Sequence, residues 1–319
     1  MSISESLPLA ATSPQFLSEA LRIIKFATGK ELAEAMFSLV DKDDFHSINI
    51  LRLINTDYFL IKEDKTDNNL LHYAVQRQRS DICDILLKIK TVDINARNKQ
   101  GYTPLHYAIK NNDISTLNKI LDMPNINLND NWKIGDDDND IIYFPILHYA
   151  VKCGNFDIVK ILLNHKRINV NVCDRNGDLA LRRAFHKEYN HVIADIIDLF
   201  LNKESIEITH QNNDRETLLH LAIFEGYNYL VEDLVNKGIN VNLTDRRNNT
   251  ALHLAVERNY KSATERLLNI PTIKLDIKNI HGMTPCEMAA RKGFVQIAEL
   301  IRKKQSIKPS NLFNLFGLV

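Results

Sequence analysis

A short pattern that returns every 33 to 42 residues restricts this chain more than any other feature of its sequence. Its centre is Leu-His-x-Ala, as in "TPLHYA" at 103–108. Five copies carry His at the second place, here called the reference position, and the other two carry Arg or Glu. The reference positions are 72, 106, 148, 182, 220, 253 and 287, with steps of 34, 42, 34, 38, 33 and 34 residues. Such a period predicts a repeat array, in which each unit stacks on the next.

Each copy predicts the same local structure. An apolar stripe with helical spacing follows the motif, as at Ile82, Ile85, Leu86 and Ile89. Asn or Asp then alternates with aliphatic residues, which predicts a short extended run that enters a turn. Thr103 is a suitable N-cap for the next helix, and Pro104 occupies the first helical position, where a missing N–H costs nothing. The predicted unit is helix, turn, helix and hairpin.

These residues resemble the ankyrin-repeat signature Gly-x-Thr-Pro-Leu-His-x-Ala, which is intact at Gly101–Ala108. The resemblance implies an all-α repeat solenoid of helix-turn-helix-hairpin repeats, with capping units at both ends and a concave face that usually binds another protein. It also implies that the repeated histidines are structural. Consecutive copies would lie about 8–10 Å apart, too far to share one zinc ion at about 2 Å. We therefore predict no metal site.

The repeats set the expected domain boundaries. Residues 64–305 hold seven ankyrin repeats, with an insertion at 131–142. Residues 29–63 carry two helical stripes without the signature and are expected to form a degenerate N-terminal capping repeat. Residues 1–28 form a lead segment whose apolar part could pack beside that cap. The tail at 306–319 either folds back onto the last repeat or acts as a short docking or export signal.

Composition and motifs argue against several classes of protein. No apolar run approaches the roughly 18 residues of a membrane span. The four cysteines form no Cys-x-x-Cys pair, which predicts reduced thiols. No glycine-rich phosphate loop, nucleophile elbow or kinase signature is present. We therefore expect no catalytic residues, no cofactor and no enzyme activity.

The residues four and five places after each reference position should end the first helix of a repeat and point into the groove. Seven of these residues are Lys or Arg and two are acidic, although the chain as a whole balances 40 basic against 40 acidic residues. A basic groove would attract an acidic or phosphorylated protein segment. The alternative is that these cations only solvate helix ends, where they suit the helix dipole. The predicted partner-binding residues from this set are Arg77, Lys110, Lys152, His186, Lys187, Phe224, Arg258, Arg291 and Lys292.

The insertion between repeats 2 and 3 is a second candidate site. It carries the only tryptophan, Trp132, beside the acidic run Asp136–Asp140. Inserted residues in a repeat array emerge as a loop, and Trp is a common interface anchor. Tyr102 and Phe144 complete the predicted binding set. A solvated loop, with Trp132 lying on its own repeat, is the alternative.

The sequence thus predicts a monomeric, non-catalytic protein-binding module that acts as an adaptor, scaffold or inhibitor. One alternative is a targeting subunit whose terminal segments recruit a second activity, such as a ubiquitin ligase. Nucleic-acid binding through the basic groove is less favoured, because the net charge is zero and no aromatic and basic platform is evident. The abundance of Asn, Ile and Lys resembles proteins of AT-rich genomes, including secreted effectors of intracellular bacteria. We therefore expect a cytoplasmic location, in a host cell if the chain is such an effector.

Overall fold

The computed structural model describes residues 14–25, 29–63, 65–130, 132–134, 142–185 and 193–306. Within them the chain forms seventeen α-helices, one short 3-10 helix at Thr56–Phe59 and two strands. The helices are α1 Pro14–Lys25, α2 Gly29–Asp41, α3 Phe45–Ile54, α4 Leu70–Gln76, α5 Ser80–Leu86, α6 Pro104–Lys110, α7 Ile114–Leu121, α8 Ile146–Cys153, α9 Phe156–Asn164, α10 Ala180–Ala184, α11 Ile193–Leu201, α12 Leu218–Glu225, α13 Leu230–Asn236, α14 Ala251–Glu257, α15 Lys261–Leu268, α16 Pro285–Arg291 and α17 Val295–Ser306. The strands are β1 Trp132–Ile134 and β2 Ile142–Phe144.

The helical repeat predicted from the period is confirmed. Every reference position lies in the first turn of a first helix, and a second helix follows in the same repeat. The seven pairs are α4/α5, α6/α7, α8/α9, α10/α11, α12/α13, α14/α15 and α16/α17. We call the segment that leads into each first helix the finger of that repeat. Thr103 and Thr284 cap α6 and α16, with proline next to each, as the sequence predicted.

The chain divides into two compact units, residues 1–168 (unit 1) and 169–319 (unit 2). In unit 1 the helices α2, α4, α6 and α8 pack in series, and α3, α5 and α7 form a second series beside them. Helix α1 packs against α3 and buries Ala20 and Ile23 completely. In unit 2 the first helices α12, α14 and α16 and the second helices α13, α15 and α17 form the same two layers.

The two ends of the insertion pair with each other. Strands β1 and β2 are antiparallel, with Trp132 opposite Phe144 and Ile134 opposite Ile142. The sequence predicted only a loop, because a three-residue strand is too short to give a visible alternation of apolar and polar residues. Residues 135–141, which hold the acidic run, lie outside the described residues.

The turns of the repeat fall at fixed places. The sixth residue after the reference position has φ between 55° and 86° in six repeats, and this residue ends the first helix in the left-handed conformation. The fifth residue before the reference position also has positive φ in six repeats, from 54° to 82°, at the tip of the finger. Glycine occupies each place in three of these repeats, and Asp, Asn, Gln or Arg accepts the strained conformation in the others.

Asparagine side chains join successive fingers. The Asn95 amide nitrogen donates to the Asn125 carbonyl (2.8 Å), and its side-chain oxygen accepts the Asn127 N–H (2.9 Å). Asn171 and Asn242 make the same pair of bonds to the fingers that follow them. These bonds satisfy backbone N–H and C=O groups of the fingers, which lie outside the β-strands and gain no partners from a sheet.

Candidate functional site

Three of the repeated histidines, His72, His220 and His253, link their first helix to the next finger. The Nδ1 atom of His220 accepts the backbone N–H of Thr217 (3.2 Å), and Nε2 donates to the Asn249 carbonyl in the following finger (3.0 Å). His253 makes the same contacts with Thr250 and Met283. Burial lowers the pKa of His72 to about 4 and the pKa of His106 to about 3. These two rings are therefore neutral at pH 7 and have a structural role.

Apart from Tyr102, which lies in the finger of repeat 2, the predicted binding residues whose side chains the structure describes lie at the exposed ends of first helices. Arg77, Lys110 and Lys152 are exposed in unit 1. Phe224, Arg258, Arg291 and Lys292 are exposed in unit 2. His186 and Lys187 lie outside the described residues, as do the side chains of Trp132 and Phe144.

In unit 1 the helix ends border a stripe of tyrosines. The residue directly after the reference position is Tyr73, Tyr107 and Tyr149 in repeats 1 to 3. The Tyr102 ring contacts Tyr107 and Tyr149 with centroid distances of 5.8 and 5.9 Å. Tyr102 is predicted from the sequence, but the stripe is not. The signal that could have revealed it is that this place holds Tyr in repeats 1 to 3, but Arg, Leu, Leu and Met in repeats 4 to 7.

The three cations beside this stripe differ in their surroundings. Arg77 donates to the Tyr73 hydroxyl (2.9 Å) and pairs with Asp41 of α2 (3.4 Å), so the preceding helix pair holds it. Lys110 and Lys152 both lie near Cys153. Burial raises the pKa of the Cys153 thiol, and the two lysines oppose this effect because their positive charge favours the thiolate. We call Lys110, Lys152 and the tyrosine stripe the unit 1 face.

In unit 2 an exposed aromatic ring lies four residues after a reference position, where unit 1 has Lys110 and Lys152. The guanidinium of Arg258 lies 3.9 Å from the centroid of the Phe224 ring, within the range of a cation–π interaction. Phe224 remains 47% exposed. This pair lies at the ends of α12 and α14.

Two adjoining recesses lie between the first helices and fingers of repeats 5 to 7. One, of about 410 Å³, is lined by Phe224 and by four carboxylates against two arginines; we call it the acidic recess. The other, of about 400 Å³, is lined by Arg247, Arg291 and Lys292 against Glu257 alone; we call it the basic recess. Both recesses include Arg247, Asn249 and Glu257, so they share one wall, and we call the two together the groove of unit 2.

The acidic recess arises where a finger hydrogen bond is missing. Asn212 and Asn279, eight places before their reference positions, donate side-chain N–H groups to the preceding finger, at Asp178 and Asn249. Repeat 6 has Asp245 at this place, which cannot donate when ionised. Glu216 of repeat 5 takes the place of the acceptors Asp178 and Asn249, so this finger pair places two carboxylates along one recess.

Repeat 4 replaces the histidine link with ion pairs. Arg182 pairs with Asp178 (3.0 Å) and with Glu216 of the next finger (3.0 Å), and Arg183 pairs with the buried carboxylate of Asp174. Burial is the main cause that raises the pKa of Asp178. Arg182 therefore links the first helix of repeat 4 to the next finger, as His220 does in repeat 5.

Other kinds of site find little support in the described part of the chain. No group of three or more His, Cys, Asp or Glu side chains there could hold a metal ion. None of the helices described is long and apolar enough to span a membrane. The cysteines Cys83, Cys153, Cys173 and Cys286 are all free thiols.

Comparison with known proteins agrees with this architecture. The family model described as "Ankyrin repeats (3 copies)" matches residues 39–131, 136–212 and 219–311. An ankyrin repeat protein of fowlpox virus (strain NVSL) is 27% identical over 180 residues, which is 54% of this chain and 51% of the relative. A human relative, transient receptor potential cation channel subfamily A member 1, is 28% identical over 132 residues, 41% of this chain and 11% of that protein.

A solved structure shares the fold. The ankyrin repeat domain of Bcl-3, described as a unique member of the IkappaB protein family, superposes with a TM-score of 0.62 at 19% identity. The match covers 75% of this chain and 100% of that domain. The chain spans about half or less of the length of the curated relatives named above.

Proposed function

The chain belongs to the ankyrin-repeat family, and from this premise we propose that it is a non-catalytic adaptor or inhibitor that binds an acidic or phosphorylated segment of another protein. Ankyrin repeats are protein-interaction modules. Which partner binds, and through which residues, is a proposal about this chain. Action as an effector in a host cytoplasm is part of that proposal and rests on composition alone.

The observation that carries the proposal is the contrast between the interior of the repeat and its helix ends. Histidines, threonine caps and finger asparagines use their polar groups within the array. Lys110 and Lys152 are exposed at the ends of first helices, beside the tyrosine stripe. Tyrosines supply rigid contact area at an interface, and lysines attract anionic groups over about a Debye length.

A charge reversal tests this proposal. We expect Lys110→Glu/Lys152→Glu to lose proteins that the wild-type chain captures from a eukaryotic lysate. The matched control is Lys88→Glu/Lys160→Glu, which changes two exposed lysines of unit 1 outside the first helices. The captured proteins are identified by mass spectrometry. An unchanged set for the Lys110/Lys152 variant, or an equal loss with the control, would contradict the proposal.

Nucleic acid is a second candidate ligand for the same face. The sequence suggested no aromatic and basic platform, yet the structure brings Tyr102, Tyr107 and Tyr149 together beside two lysines. These rings contact one another and Tyr149 is buried, so little ring surface is left on which a base could stack. A salt-dependent gel shift with single-stranded DNA that the Lys110/Lys152 variant lacks would favour nucleic acid over protein.

A further inference from the structure

The groove of unit 2 collects positive charge that the fold does not use. In the described part of the chain, Arg247 and Lys292 make no side-chain ion pair, and the hydrogen bond of the Arg291 guanidinium goes to the Met283 sulfur (3.7 Å) rather than to a carboxylate. Other arginines of unit 2 pair between repeats, since Arg246 meets Asp214 (2.9 Å) and Arg266 meets Glu232 (2.7 Å). The basic recess therefore gathers cations that stabilise no neighbouring repeat.

The amount of charge indicates the kind of ligand. Three cations against the single carboxylate of Glu257 leave two positive charges in the basic recess. A carboxylate side chain carries one negative charge, whereas a phosphorylated serine or threonine carries about 1.5 to 2 near neutral pH. Arginine also binds phosphate oxygens through two parallel N–H groups. The charge of a phosphorylated side chain thus balances the charge of the basic recess better than the charge of Asp or Glu does.

The adjoining acidic recess favours the opposite charge. Two of its carboxylates are already matched, since Asp214 pairs with Arg246 and Glu216 pairs with Arg182. Asp245 accepts the N–H groups of Arg247 (2.8 Å) and Asn249 (2.7 Å) but pairs with no side-chain cation in the described residues. Phe224 offers exposed ring surface beside these carboxylates. A lysine or arginine of the partner could place its aliphatic stem on the part of this ring that Arg258 leaves exposed, and its charge near Asp245.

We propose that the groove of repeats 5 to 7 binds a partner segment that carries a phosphorylated serine or threonine flanked on one side by a basic residue. The phosphate lies in the basic recess, and the basic residue lies in the acidic recess. The shared wall of Arg247, Asn249 and Glu257 lets one extended segment occupy both recesses. This proposal rests on the proposed function, because it specifies the ligand of a protein-binding module.

The test uses the full chain and two degenerate peptide libraries, one with a fixed central phosphoserine and one with serine at that place. We expect the phosphoserine library to bind more tightly, with Lys or Arg enriched on one side among the retained peptides. The variant Arg291→Glu/Lys292→Glu should weaken this binding by about tenfold or more, because it removes two charge-assisted contacts and adds repulsion. Binding is measured by fluorescence polarisation.

The control is Arg302→Glu/Lys303→Glu, an exposed arginine–lysine pair near the C-terminal end of α17. Like Arg291 and Lys292, these residues lie near a helix C-terminus, so both variants lose a similar interaction with the helix dipole. Circular dichroism should show that both variants retain the wild-type helix content. The control variant should bind the phosphoserine library as the wild type does.

Each other result contradicts part or all of the proposal. Equal or absent binding of the two libraries overturns it, as does equal weakening by both variants. Phosphate-dependent binding without enrichment of Lys or Arg overturns the role of the acidic recess. If the Lys110/Lys152 variant loses its lysate partners while Arg291→Glu/Lys292→Glu binds normally, the proposed function stands and this inference fails.

Discussion

At the scale of single residues, the histidine at the reference position links protonation to stability. His72, His106, His220 and His253 are buried, and burial lowers the pKa of each ring. An unfolded chain exposes the same rings, whose pKa is then about 6.5. Below that pH the unfolded chain binds more protons than the folded chain does, so falling pH favours unfolding.

We therefore expect the urea midpoint of unfolding to fall as the pH is lowered from 7.5 to 5. The stability from neutral histidine is complete above about pH 6.5 and is lost as the pH falls towards about 4, where His72 itself titrates. The variant His72→Gln should show a smaller fall over this range. His281→Gln, which changes an exposed histidine, should keep the wild-type dependence. A midpoint that is constant between pH 7.5 and 5 would rule out this linkage.

At the scale of elements, the sequence predicts the helix and cap that follow a finger turn, but not the contacts between neighbouring fingers. The Thr-Pro and Leu-His residues carry local information, and they correctly predicted the first helices and their caps. The binding surfaces depend on contacts across repeats. Asp245 and Glu216 lie far apart in sequence but on facing fingers, and only the stacked fingers show that a hydrogen-bond donor is missing between them. Tyr73, Tyr107 and Tyr149 likewise form a stripe only once their helices are aligned.

Two equivalent finger glycines provide a test at this scale. Gly177 and Gly282 both lie five places before a reference position, with φ of 73° and 71°. A Cβ at Gly177 would lie 2.6 Å from the side-chain oxygen and 2.9 Å from the backbone nitrogen of Asn213, whereas a Cβ at Gly282 would meet nothing within 4 Å. Gly282→Ala should cost about 1–2 kcal/mol of unfolding free energy, from the left-handed conformation alone.

Gly177→Ala should cost more than Gly282→Ala, because the neighbouring finger must also move. The comparison requires urea unfolding of both variants, and native-state amide exchange should place the additional loss in the finger that contains Asn213. Equal losses in the two variants would mean that contacts between these fingers add little to stability.

At the scale of the whole molecule, the period, the family match and the two compact units describe an array whose stability is the sum of local terms. Each repeat contacts only its neighbours, so a defect should weaken nearby repeats more than distant ones. The candidate binding surfaces also differ between the two units. Unit 1 carries the tyrosine stripe with Lys110 and Lys152, and unit 2 carries the paired recesses. An adaptor needs such distinct surfaces if it is to hold two partners.

Two equivalent core leucines test whether the units are energetically local. Leu86 in α5 and Leu267 in α15 both follow their reference positions by 14 residues, and both are fully buried. Each Leu→Ala change should cost about 2–5 kcal/mol through lost burial and the cavity left behind. In native-state hydrogen exchange, Leu86→Ala should speed exchange mainly in α3 to α7, whereas Leu267→Ala should do so mainly in α13 to α17. If either change accelerates exchange equally in both units, the chain unfolds as one cooperative body, and mutations on one binding surface would then disturb the other.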